Sequence, residues 1–191
     1  MIKVSNTEKS SVPVNEMSVA FNITSSSTDY QEALTNLNTK IDILLNDLSK
    51  LSFEHEVRVA SYTLRKVYDK NNEFLEYRGN ALIQLDSDYN ENNTLELIEL
   101  LNSSESGASF TFSFTNSNIA TLRNALIDSA YNGALVKANI LAKSSNQEIK
   151  GVKEASLRDN HYPTPLRAYS EIQLVPQEIN LQVTVDVEYE T

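Results

Sequence analysis

The chain has 191 residues, carries no cysteine and has a formal net charge of -10. Without cysteine there is no disulfide, thiolate metal site or cysteine nucleophile, and the acidic balance sets the protein against phosphate backbones, so nucleic acid is not an expected partner. A chain of this length can bury roughly 70% of its unfolded surface, enough for a core without staples.

The first residues, 1–11, are polar and are expected to be loose. The N-terminus shows no basic segment followed by an apolar run, so no secretory signal is read there, and a cytoplasmic location is expected. No stretch approaches the length of a membrane-spanning helix. A strand is expected from Val12 to Ile23, with a change of parity near Glu16 that predicts a bulge or bend. Ser25 to Thr28 are expected to form a turn, with one of them capping the next helix. The following apolar positions, Tyr30, Leu34, Leu37, Ile41, Leu44, Leu48 and Leu51, step by three and four, which predicts a helix from about Asp29 to Leu51. The same heptad spacing allows a coiled-coil seam or a helix lying on a sheet.

A β-rich run from Glu54 to Tyr68, a turn of Asp69 to Asn72 and a return from Phe74 to Leu85 read as a hairpin. A polar loop, Asp86 to Asn93, then leads to a short helix from Thr94 to Leu101. That loop opens like a calcium-binding loop, but Glu91 stands where the sharp turn needs glycine and Leu97 where a bidentate glutamate belongs. Ala108, Phe110, Phe112 and Phe114 alternate with polar residues, so they predict a half-buried strand with its rings inward; a ligand pocket lined by those rings is the other reading.

Ser117 to Ser144 is the longest periodic stretch. Leu122, Leu126, Ala130, Ala134, Ala138 and Leu141 lie along one side, an alanine-rich stripe that lets the helix approach whatever it covers, and Ser117 or Asn118 can cap its start. Glu148 to Leu157 reads as a strand and Arg158 to Ser170 as a loop with two prolines. From Ile179 to Tyr189 the alternation of apolar and polar residues predicts a strand with one dry and one wet face. The order strand, long helix, hairpin occurs from 12 to 85 and again from 108 to 189. The expected class is α+β, a single domain of two such halves joined by the short helix, forming antiparallel-rich sheet with the long helices packed on one face.

The helix positions Ala125-Leu126, Ala130, Ala134, Lys137-Ala138 and Leu141-Ala142 resemble the alanine-rich helix of SIMPL domain proteins, the YggE-like group. The segment Val175-Pro176-Gln177-Glu178-Ile179 with Val183 to Val187 is similar to that family's closing turn and last strand, although Gln177 stands where the family usually has glycine. Ser144 to Gln147 likewise replaces its Gly-rich segment. The resemblance implies the α+β fold, a binding or scaffold role associated with stress tolerance in bacteria and with kinase-adaptor signalling in animals, and no catalytic residues to carry over.

The chemistry-bearing residues agree with a non-enzymatic role. His55 and His161 lie far apart with no metal-ligand spacing, no nucleophile elbow occurs, and the four glycines form no phosphate loop. No cofactor or metal is expected. The segment His161, Tyr162, Pro163, Pro165 and Leu166 is the candidate interface, because it presents an aromatic and an aliphatic residue on a stretch stiffened by proline. A homo-oligomer, with contacts through this segment or a sheet edge, is therefore expected; a small-molecule site in a groove between helices and sheet is the alternative.

Overall fold

The computed structural model describes residues 1–162 and 178–191. Among the described residues the elements follow the chain as β1 (Ile2–Val12), β2 (Glu16–Ser27), α1 (Tyr30–Leu48), β3 (Glu56–Tyr68), β4 (Phe74–Asp88), α2 (Glu91–Ser103), β5 (Ser109–Thr115), α3 (Ile119–Ser144), β6 (Gly151–Tyr162) and β7 (Ile179–Glu190). The fold is α+β, and its strands divide into two sheets, ordered β3-β4-β2-β5 and β1-β7-β6. The chain forms two compact units: one is Asn15–Phe114, the other Met1–Val14 with Thr115–Thr191.

In the unit of residues 15–114, β2 and β4 run antiparallel and supply Met17, Val19, Phe21, Ile23, Ala81, Ile83 and Leu85 to the core. Helix α1 covers them with Leu37, Ile41, Leu44 and Leu48, so its heptad spacing serves a sheet and not a coiled-coil seam. Ala33 is buried, whereas Leu34, on the neighbouring line, is half-buried. Strand β2 runs through Ser27 where a turn is expected, and the helix is capped not by one of Ser25 to Thr28 but by Asp29, whose carboxylate accepts from the Glu32 amide at 2.9 Å. The hairpin turn is held by Asp69, whose side chain accepts from the amides of Asn71 and Glu73 at 2.8 Å each, with Asn72 at φ 65°. Strand β4 runs through Asp86 and Asp88, and Asn90 caps α2, so the expected polar loop is shorter and the helix starts earlier than its first buried residue, Thr94, suggests.

In the unit of residues 1–14 and 115–191, β7 is central and antiparallel to both neighbours. Its inward positions, Ile179 to Tyr189, are buried as the alternation predicts. Residues 2–12 are not loose: they form β1, paired with β7 over the strand's whole length. The run is polar because only Ile2 and Val12, with half-buried Val4, are needed on the inward face; the pairing comes from β7's edge rather than from β1's own propensity. The expected strand from Val12 to Ile23 is thus two strands, and the parity change at Glu16 marks the break between them. Helix α3 buries Ala130, Ala134, Ala138 and Ala142. Leu141, expected on this stripe, is exposed, because the methyl-sized Ala142 takes the buried place at the helix end. Asn118, one of the two expected candidates, is the N-cap residue but makes no side-chain cap bond; the Asn116 carboxamide oxygen accepts from the Asn118 amide at 2.8 Å. Strand β6 extends through His161 and Tyr162, residues expected in a loop, because they continue the pairing opposite Leu181 and Asn180.

The two units use the same seating for their helices. In one, the Ser25 hydroxyl on β2 donates to the Ala33 carbonyl at 2.7 Å, and Lys40, two turns along, donates to the carbonyl of Thr24 at 2.8 Å. In the other, the Asn6 carboxamide on β1 donates to the Ala130 carbonyl at 3.3 Å, and Lys137, again two turns along, to the carbonyl of Ser5 at 3.2 Å. Strands β3 and β6 match in part in the same way: each has a one-residue bulge, between Val59 and Ser61 and between Val152 and Glu154, while the β3–β4 pairing shifts once more at Val67 and Tyr68, near the hairpin turn. By this correspondence β1 takes in its sheet the place that β2 takes in the other, while β5, which leads into α3, lies next to β2.

Ala134 is fully buried and Asn132 is exposed on the same helix. Ala134→Leu is expected to destabilise the protein by about 1–3 kcal/mol through overpacking, and Asn132→Lys to leave it nearly unchanged, as read by thermal melts. Gly133 lies against Asn6, so a methyl group there would meet the carboxamide nitrogen. Gly133→Ala is therefore expected to disrupt the Asn6–Ala130 bond in the wild type. In an Asn6→Ala background the same change should stabilise the helix by roughly 0.5–1 kcal/mol, a sign reversal that denaturant melts of the four proteins would detect.

Candidate functional site

The two histidines have different settings. His55 is held locally, its Nδ1 2.8 Å from the carbonyl oxygen of Phe53 and its ring edge-on to Phe53 at 5.5 Å. His161 sits in β6 opposite Leu181. Among the described residues no three His, Asp or Glu side chains gather as a metal site, and no helix is long and apolar enough to cross a membrane. Of the candidate interface, the backbone of His161 and Tyr162 ends β6, and Pro163, Pro165 and Leu166 lie outside the described residues.

The ring-bearing face of β5 is only partly covered. Phe112 and Phe114 stack at 6.0 Å, half-buried against the core of their unit, with Tyr89 edge-on to Phe114 at 5.5 Å; Phe110 remains exposed. These rings serve as packing at a sheet margin, not as a fully inward strand face.

The wet face of β1-β7-β6 is an ordered array of charges. Glu188, on central β7, accepts from Lys3 of β1 and Lys153 of β6 at 3.0 Å each. Asp186 takes Arg158 of β6 in a two-pronged bond at 2.9 and 3.1 Å. The hydroxyls of Thr7 and Thr184 bond at 2.8 Å. A shallow cavity of about 380 Å³ opens between these rows, lined by residues that include Ser5, Glu154 and Ser156. The alternating polar positions of β7 signal this face in the sequence, but its partners on β1 and β6 become legible only through the register.

These contacts hold both carboxyls below their ordinary range. For Asp186 the bond from Ser5 acts most strongly, followed among the stabilising contacts by Arg158; for Glu188 the bond from Lys153 leads, followed by that from Lys3. Lys153 is correspondingly raised by Glu188. The array ties both outer strands to β7.

The margins of the two sheets are less covered. Strand β3 is exposed along most of its length on both faces, with Val59 at 54% and Tyr62 at 44% of full exposure. At the hairpin end Tyr68, Phe74 and Tyr77 form an aromatic cluster with ring spacings of 6.2 and 5.0 Å, and Lys66 lies over the Tyr77 ring at 5.9 Å. In β6, Val152 and Leu157 are exposed at 46% and 44%. Sequence reading assigns β3 and β6 as strands but cannot tell that both are sheet margins; their mixed composition, apolar and charged on either parity, is the available signal.

Because the lowered carboxyls bind protons less readily folded than unfolded, their contribution is present above the unfolded pKa and is lost as pH falls through the folded one. The melting-temperature difference between wild type and Glu188→Gln is therefore expected to be widest near neutral pH and to shrink below about pH 4.3, the ordinary glutamate range, as Glu188 becomes protonated. Thermal melts of both proteins from pH 7 to pH 3 measure it.

A family model described as SIMPL, protein of unknown function (DUF541), matches residues 2–189. No curated protein matches the chain.

Proposed function

The chain belongs to the SIMPL family, and from that premise we infer that it acts as a non-enzymatic interaction scaffold that assembles with copies of itself. The observation that carries this reading is the exposed margin strand β3, where Val59 and Tyr62 lie open beside an edge that no strand pairs with among the described residues. Open edges template strand pairing unless they are blunted, and the blunting charges on β3, Glu56, Arg58, Arg65 and Lys66, are of both signs. The helix–sheet layers are filled by Leu37, Leu44 and Leu48 in one unit and by four alanines in the other, a packing that favours the scaffold over a ligand groove beneath the helices.

Light scattering on a sizing column, at micromolar concentration and physiological salt, is expected to return a mass above that of the 21.4 kDa chain. A monomer would overturn the reading. A second run with Pro163, Pro165 and Leu166 replaced by Gly and Ser tests the segment: a fall in mass places the contact there, and an unchanged mass clears it and leaves the sheet edges and the helix faces.

A further inference from the structure

The geometry points to a specific self-contact: β3 of one copy pairs antiparallel with β6 of a second copy, joining the two sheets edge to edge. This inference rests on the scaffold reading above and names its surfaces. Among the described residues no strand pairs with the outer edge of β3 or of β6, since each is last in its sheet.

Three features of the strands select this pairing. The first is facing. On β3, Val57, Val59 and Tyr62 stand opposite Leu85, Ile83 and Ala81 of β4, so they lie on the sheet face that the core occupies. On β6, Leu157, Ala155 and Val152 stand opposite Val185, Val187 and Tyr189 of β7, on the corresponding face. In one antiparallel register Val57 meets Leu157, Val59 meets Ala155 and Tyr62 meets Val152, which puts apolar residues against apolar residues on one continuous face.

Charge is the second feature. The same register places Glu56 against Arg158 at one end and Lys66 against Glu148, just before β6, at the other. Opposite charges thus close both ends of the contact. Pairing β3 with β3 of a second copy about Tyr62 would instead set Arg58 against Lys66, like charges directly opposed.

The third is the matched bulge. Both strands bend at corresponding positions, after Val59 and after Val152. Over the paired stretch, which ends at Lys66 before the second register shift of the β3–β4 pairing at Val67 and Tyr68, two strands with a like bulge can follow each other's course, whereas a straight strand would diverge from either. Because every chain carries one β3 and one β6, the contact is head-to-tail: it repeats from copy to copy and closes into a ring or continues as a filament.

The absence of cysteine in the chain makes a direct test available. Val57→Cys and Leu157→Cys are prepared as separate full-length proteins, mixed at micromolar concentration and treated with a mild oxidant. The expected result is a disulfide-linked dimer on non-reducing gels in the mixture that neither variant forms alone. Light scattering of each variant confirms that it still assembles. An assembled mixture with no covalent dimer overturns the β3–β6 pairing and leaves the scaffold reading standing. Dimers formed by Val57→Cys alone also overturn it, in favour of a β3–β3 contact. A monomeric wild-type protein overturns both.

Discussion

The seating of each long helix on its sheet is the constraint on which the rest of the structure depends. A strand side chain, Ser25 or Asn6, donates to a helix carbonyl, and a helix lysine, Lys40 or Lys137, returns a bond to the strand backbone one residue earlier. The inner bond of each pair is buried, so it also removes the cost of leaving a polar group dry. It requires close approach, and small residues provide it. Gly79 lets β4 pass beside Ser25, where a methyl group would come within 2.8 Å of the hydroxyl, and Gly133 gives Asn6 its space in the other unit. The same device thus takes its glycine from a strand in one unit and from a helix in the other.

That correspondence extends beyond the helices. The bulges of β3 and β6 fall at matching places, and β1 stands to β7 as β2 stands to β4. Both units therefore cover two strands with a helix and leave the first hairpin strand at the margin. Exposure of Val59 and Val152, which precede the two bulges, is a consequence of this shared plan rather than two separate accidents. A margin with apolar residues on one face and charges of both signs along it is suited to meeting another strand, and this gives the scaffold reading its physical basis.

The wet face of the three-stranded sheet has a different role. Its carboxylates Glu188 and Asp186 sit on the central strand and draw in cations from both outer strands. For polar β1, which buries little apolar surface, these pairs and the bond from Asn6 supplement the backbone ladder. The arrangement accounts for a strand that has no strong hydrophobic pattern of its own.

The sequence by itself determined the class of fold, both long helices, the β3–β4 hairpin and the alternating β7, because each repeats its apolar spacing over many residues and local preference agrees with burial. The family resemblance was legible for the same reason: the alanine stripe from Ala130 to Ala142 records close packing. Tertiary structure alone decided that residues 2–12 form a strand, since their pairing is imposed by the edge of β7 and leaves few apolar positions to recognise. It also decided that the Asn116 carboxamide accepts from the amide of the N-cap residue Asn118 at the start of α3, and that Ala142 replaces Leu141 at its buried end. The division into two sheets and the exposure of β3 and β6 follow from which strands lie beside one another, a long-range relation that no local pattern of residues carries.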